Sequence, residues 1–100
     1  MGLDITIRKI RYKHFEEQKS LRENFEKFEA KYVYDFRGIW NWKEQYQITD
    51  EEDDNGRFYR QLSSYDEIKD LEGGTQVQIL KEIVRCFEFD KFIYIVQFDY

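Results

Sequence analysis

In the stretch "LDITI" the apolar side chains of Leu3, Ile5 and Ile7 alternate with Asp4 and Thr6. That period of two marks a strand with one face buried. After Arg8 and Lys9 the apolar set moves to even positions, Ile10 and Tyr12. A slip of one residue reverses the faces, so a bulge or the end of the strand is expected there. Over residues 14–31 the period lengthens: Leu21, Phe25, Phe28 and Tyr32 recur at i, i+4, i+7 and i+11, with Phe15 upstream. Lys19, Glu23 and Lys27, and likewise Arg22 and Glu26, stand four apart, which predicts an exposed amphipathic helix with a solvated charged face.

The second half of the chain uses both periods again. "SYDE", Ser64 to Glu67, has capping-box spacing and is followed by Ile68, Leu71 and Gly73, which predicts a short helix. Gly73 and Gly74 separate it from "TQVQILKEIVRCF", a second helix with Thr75 as N-cap and a stripe of Val77, Leu80, Ile83, Val84 and Phe87. Cys86 lies beside that stripe and reads as a small buried thiol, lacking the electropositive setting of a reactive one. "KFIYIVQF" is apolar at Phe92, Tyr94 and Val96 and also at Ile93 and Ile95. It reads as a central strand covered on both sides, the natural neighbour of the first.

Two periods compete for residues 32–48. Even positions hold Tyr32, Tyr34, Phe36, Trp40, Trp42, Tyr46 and Ile48, whereas odd positions contribute only Val33 and Ile39. This favours a strand, with Gly38 marking a bulge or bend. The helical alternative uses Phe36, Ile39, Trp40 and Tyr46. Either way one face is dense with rings, most of them expected in the core. Trp40 and Trp42 are expected to be the more exposed, because a ring with a polar edge suits an interface.

Composition narrows the class. One hundred residues suit a single domain, 1–100, with one core and no staples. Nineteen aromatic residues and a single alanine mean that this core is built from large rings and Ile, Leu and Val. No apolar run reaches the ~20 residues that span a bilayer, and the charged, alternating residues 1–12 do not read as a secretory signal. One cysteine excludes an internal disulfide and fits a reducing, cytoplasmic setting. Charge is unevenly placed: residues 1–50 carry ten Lys/Arg against nine Asp/Glu, and residues 51–100 carry six against twelve. An acidic balance disfavours direct nucleic-acid binding, which needs a positive face. One local exception is Arg8, Lys9, Arg11 and Lys13, opposed in that stretch only by Asp4.

The chemistry-bearing motifs are mostly absent. Asp50, Glu51, Glu52, Asp53 and Asp54 precede Asn55-Gly56. As an EF-hand loop from Glu51 the run fails, because the twelfth position is Leu62 where a bidentate Glu is needed. A turn pair after a self-repelling loop explains it as simply; the sharper reading is a phosphate-like patch offered to a basic, nucleic-acid-binding surface. His14 is the only histidine, so neither a two-His metal site nor a His dyad exists within the chain. There is no phosphate loop, GxGxxG or GxSxG, and Ser63-Ser64 are explained by capping. No cofactor and no metal are implied.

"MGLDITI", "YDFRGIWNW" and "LKEIVRCFEFDKFIYIVQFDY" together resemble a loose group of small phage and prophage proteins that begin MGLD. In the middle segment Arg37 matches that group, whereas Gly38 stands in place of its Lys and Trp40 in place of its Asn. The resemblance implies a phage-like genetic setting and a helical middle segment, which leaves residues 36–46 open between helix and strand.

These readings converge on an α+β domain, its terminal strands adjacent in a small sheet packed with two or three helices. The expected function is non-catalytic: a phage-type module that binds a host protein in the host cytoplasm, such as a nucleic-acid-binding effector complex, and inhibits host defence in the manner of an anti-CRISPR. The residues expected to carry it are Arg37, Trp40, Trp42 and Asp50, Glu51, Glu52, Asp53 and Asp54. The alternative is a small nucleic-acid-binding protein that uses the basic stretch from Arg8 to Lys13.

Overall fold

The computed structural model describes residues 4–38 and 56–99. Four strands, β1 (Asp4–Arg11), β2 (Lys31–Arg37), β3 (Phe58–Leu62) and β4 (Phe92–Asp99), form one antiparallel sheet in the order β2-β1-β4-β3. Two α-helices, α1 (Leu21–Phe25) and α2 (Thr75–Arg85), and two 3-10 turns at Tyr12–His14 and Tyr65–Glu67 complete the described elements. The α+β class and the adjacency of the terminal strands stand as expected: β1 pairs with β4 in unbroken register from Asp4↔Asp99 to Arg11↔Phe92. None of these helices is long and apolar enough to cross a membrane.

β4 is central because both its faces are apolar. Tyr94, Val96 and Phe98 join Ile5, Ile7, Phe36 and Leu62 under Val77, Leu80 and Val84 of α2. Ile93 and Ile95 join Ile10 and Tyr59 on the other face, under Phe25 of α1 and beside Ala30. Two half-cores thus sit on opposite sides of the sheet. This explains the apparent phase slip in β1: odd positions are buried where α2 covers them, and Ile10 is buried where α1 covers the reverse face. A register shift does occur between Ile7 and Arg8, but only against β2, where Tyr34 pairs with Ile7 and Tyr32 with Arg8, leaving Val33 as the extra residue. The bulge belongs to β2.

The helix expected over 14–31 is the main departure. Only Leu21–Phe25 is α-helical, started by a capping box in which the Glu23 N–H donates to Ser20 Oγ at 3.0 Å. The segment before it is held as a loop by Asn24, the one fully buried polar residue described. Asn24 Oδ1 accepts from the Glu16 N–H (2.8 Å), and Nδ2 donates to the carbonyls of Glu16 (2.9 Å) and Ser20 (2.9 Å). Of the supposed stripe, Phe28 is 87% exposed and Tyr32 belongs to β2. Tertiary hydrogen bonding and strand pairing override the helical period.

Around α2 the periodic pattern matches the packing. Val77, Leu80 and Val84 are buried, with Ile83 and Phe87 packed partly against them. Gly74, not Thr75, occupies the cap position. Cys86 is exposed, not buried: two residues beyond Val84 lies about 200° round the helix from the buried side. Tyr65–Glu67 forms a single 3-10 turn, not the expected α-helix, at whose start the Glu67 carboxylate accepts from the Ser63 and Ser64 N–H groups, the latter at 3.0 Å. Arg60 from β3 meets Glu67 Oε1 at 3.1 Å and ties that turn to the sheet.

Candidate functional site

α2 covers its face of the sheet only as far as the row of Lys9 and Tyr94. Beyond it the same side of β1 continues as Lys9 and Arg11. Lys31 of β2 pairs across from Lys9, and Phe92 of β4 pairs across from Arg11. Together with His14, Phe28 and Glu29 these side chains line a groove of about 400 Å³. A second groove of about 300 Å³ adjoins it, lined by Arg11, Tyr12, Lys13, Lys91 and Phe92. Among the described residues the two are lined by five Lys/Arg side chains (Lys9, Arg11, Lys13, Lys31 and Lys91) against one carboxylate, Glu29.

The cations lie over rings. Lys9 Nζ is 4.4 Å from the Phe92 centroid, the Arg11 guanidinium is 5.8 Å from the same ring, and Lys31 Nζ is 4.3 Å from that of Phe28. Such contacts at open sites contribute only about 0.5–1 kcal/mol each, so a ligand displaces them at little cost. Lys31 also donates to the Phe28 carbonyl at 3.2 Å, and Lys91 is paired with Glu88 at 3.3 Å. Lys9, Arg11 and Lys13 form no ion pair among the described residues.

The basic stretch therefore divides. Arg8 faces the other side, where its Nη1 donates to the Phe25 carbonyl at 2.8 Å and its guanidinium sits 4.4 Å from the Phe25 ring; it serves the fold. Lys9, Arg11 and Lys13 serve the groove. Lys31 and Phe92 escape the sequence pattern because strand pairing brings them there, and Phe28 because it lies in the turn before β2 and not in the expected helix. The antiparallel adjacency of first and last strands was the signal that could have placed Phe92 against the basic stretch.

Arg37 ends the edge strand β2, largely exposed, with its Nε 3.2 Å from Asp4 Oδ1. Gly38 follows with φ +75°, the left-handed backbone expected of a bend. Trp40, Trp42, Asp50, Glu51, Glu52, Asp53 and Asp54, like Leu3, Ile39, Tyr46, Ile48 and Asn55, lie outside the described residues. The strand reading holds for the described part of the aromatic band, though Tyr32 (60% exposed) and Tyr34 (40%) are not core, whereas Phe36 is.

A third cleft, of about 340 Å³, lies on the far side of Lys9, lined mainly by Val33, Ile83, Phe87 and Tyr94 with Glu82 and Glu88. Cys86 opens into it. Burial raises the Tyr94 phenol above its ordinary value, opposed by the Glu88 N–H that donates to its oxygen at 2.9 Å. No protein-family model, curated protein or solved structure matches this chain.

Proposed function

We propose that this chain is a non-catalytic binding module whose working face is the open end of the sheet, where it takes an anionic partner. One observation carries the reading: Lys9, Arg11 and Lys13, unpaired among the described residues, line adjoining grooves whose other walls are the exposed rings of Phe28 and Tyr12 and the half-buried ring of Phe92. A stable fold has no need of such a cluster. Like charges on one surface repel, and nothing in the core depends on them. The test is binding of inorganic polyphosphate, a polyanion without rings or side chains, by the native chain and by a Lys9→Glu/Arg11→Glu variant. Saturable binding that the variant loses, with an unchanged circular dichroism spectrum, supports the reading; equal binding by both refutes it.

A host protein as partner, including an effector complex of a defence system, is the second reading. Its favouring observation is the edge strand β2, along which Tyr32, Tyr34 and Arg37 stand exposed, residue types that commonly anchor interfaces. No strand among the described residues pairs with the outer side of β2. Capture of a host protein that is abolished by Tyr34→Ala/Arg37→Ala and untouched by the Lys9→Glu/Arg11→Glu variant would favour this reading over the first.

A further inference from the structure

We infer that the anion taken by this groove is a single-stranded nucleic acid, an assignment that rests on the anionic-partner reading above and narrows it. The cations are spaced for a chain of phosphates. Lys9 and Arg11 are two residues apart on one face of an extended strand, hence about 7 Å apart along it. That is close to the repeat of successive phosphates along an extended single strand. Lys31, paired across from Lys9, adds a third cation about 5 Å to the side. The cations therefore form a short track and not a point.

Rings accompany the cations. Phe92 lies opposite Arg11 in the sheet, with Lys9 and Arg11 both over it, and Phe28 is 87% exposed with Lys31 over it. Phe28 is an open ring and Phe92 a half-buried one that still borders the groove, and a ring flanked by cations is what an unpaired base and its phosphate require: the base stacks on the ring and the displaced ammonium moves to the phosphate. A carboxylate-rich peptide would use the cations and leave both rings idle. A duplex keeps its bases stacked within itself, and its phosphates would meet only one short track. Glu29 is the sole carboxylate in the lining of the larger groove, and it lowers affinity for every anion without choosing among them.

The experiment uses the full chain and fluorescence anisotropy. The probes are a short labelled oligothymidylate, the same length of DNA hairpin duplex, polyphosphate and polyglutamate. The inference expects the single strand to bind more tightly than the other three. It expects log K to fall against log salt with a slope of about −2 for three phosphates neutralised. Phe92→Leu, which keeps apolar volume without a ring, should weaken the oligonucleotide about tenfold and leave polyphosphate unchanged; Lys9→Glu/Arg11→Glu should weaken both. Equal binding of oligonucleotide and polyphosphate, indifferent to Phe92→Leu, overturns the nucleic-acid assignment and leaves the anionic reading standing. So does preference for polyglutamate, which would point to an acidic protein, or for the duplex. Failure of all four probes to bind at low salt overturns both.

Discussion

Replacing Asn24 by alanine separates two accounts of residues 14–31 by the sign of the effect. If this segment were a continuous exposed helix, the substitution would help, since alanine exceeds an ordinary residue in helix propensity by up to about 0.7 kcal/mol. In the fold described here Asn24 is fully buried and closes the loop from Glu16 to Ser20 through three hydrogen bonds of 2.8–2.9 Å. Each is worth about 1 kcal/mol net, and a backbone group left without a partner costs about 1–3 kcal/mol more. Glu16 is only partly buried, so water can reach some of what is released. The expected loss is thus about 2–3 kcal/mol, at the lower end of that range. For a domain of this size it corresponds to a fall in Tm of roughly 10–20 °C. Asn24→Asp should be no better, because it keeps the acceptor for the Glu16 N–H but sets a carboxylate against two carbonyl oxygens. Thermal and urea unfolding followed by circular dichroism measure both. An Asn24→Ala protein that melts at or above the native temperature would refute the loop and restore the helix.

Gly73→Ala should destabilise by about 1–3 kcal/mol, since a Cβ there would stand 2.5 Å from Val77 Cγ2, in a helix where valine has one favoured rotamer. In a double-mutant cycle with Val77→Ala in urea, the pair should cost less than the sum of the singles; strict additivity would contradict the close approach. Tyr94 supplies a pH dependence. Burial raises its folded pKa above the ordinary 10.0, so its contribution is complete below that pH and is lost as pH rises through the folded value. The Tm of the native protein should therefore fall more steeply above pH 10 than that of Tyr94→Phe, and parallel curves would count against it.

Where a single element decides a side chain's surroundings, its position was legible in the sequence. β4 announces itself because both its faces are apolar, and it lies between β1 and β3 for that reason. α2 shows its period because one face of it meets the sheet and the other meets water. The chain around α1 was not legible, because its apolar period is shared among unlike elements: Leu21 and Phe25 in a helix, Phe28 exposed in a turn, Tyr32 in a strand. A lone buried asparagine fixes that loop, and no periodicity reports it. The same logic governs the site. Lys9, Arg11 and Lys13 were visible as a basic run, but their separation from Arg8 depends on which face each helix covers. Phe92 and Lys31 join them through strand pairing, which local pattern does not contain.

An acidic chain can carry a basic site because charge acts locally. At physiological ionic strength the Debye length is about 8 Å, so a phosphate entering the groove senses the lining of that groove far more than the net charge of −5. Several of the other cations among the described residues are taken up elsewhere. Lys19 and Lys27 both meet Glu16, Arg22 meets Glu26, Arg57 meets Asp99 and Arg60 meets Glu67, and Arg8 is held by a carbonyl and a ring. Lys9, Arg11 and Lys13, without an ion pair among the described residues, stand together where β1 runs past the end of α2. There odd positions of the strand change from Ile5 and Ile7 to Lys9 and Arg11 as the covering helix ends. A residue that would be costly under the helix is solvated beyond it, so the length of α2 sets both where the core stops and where the site begins.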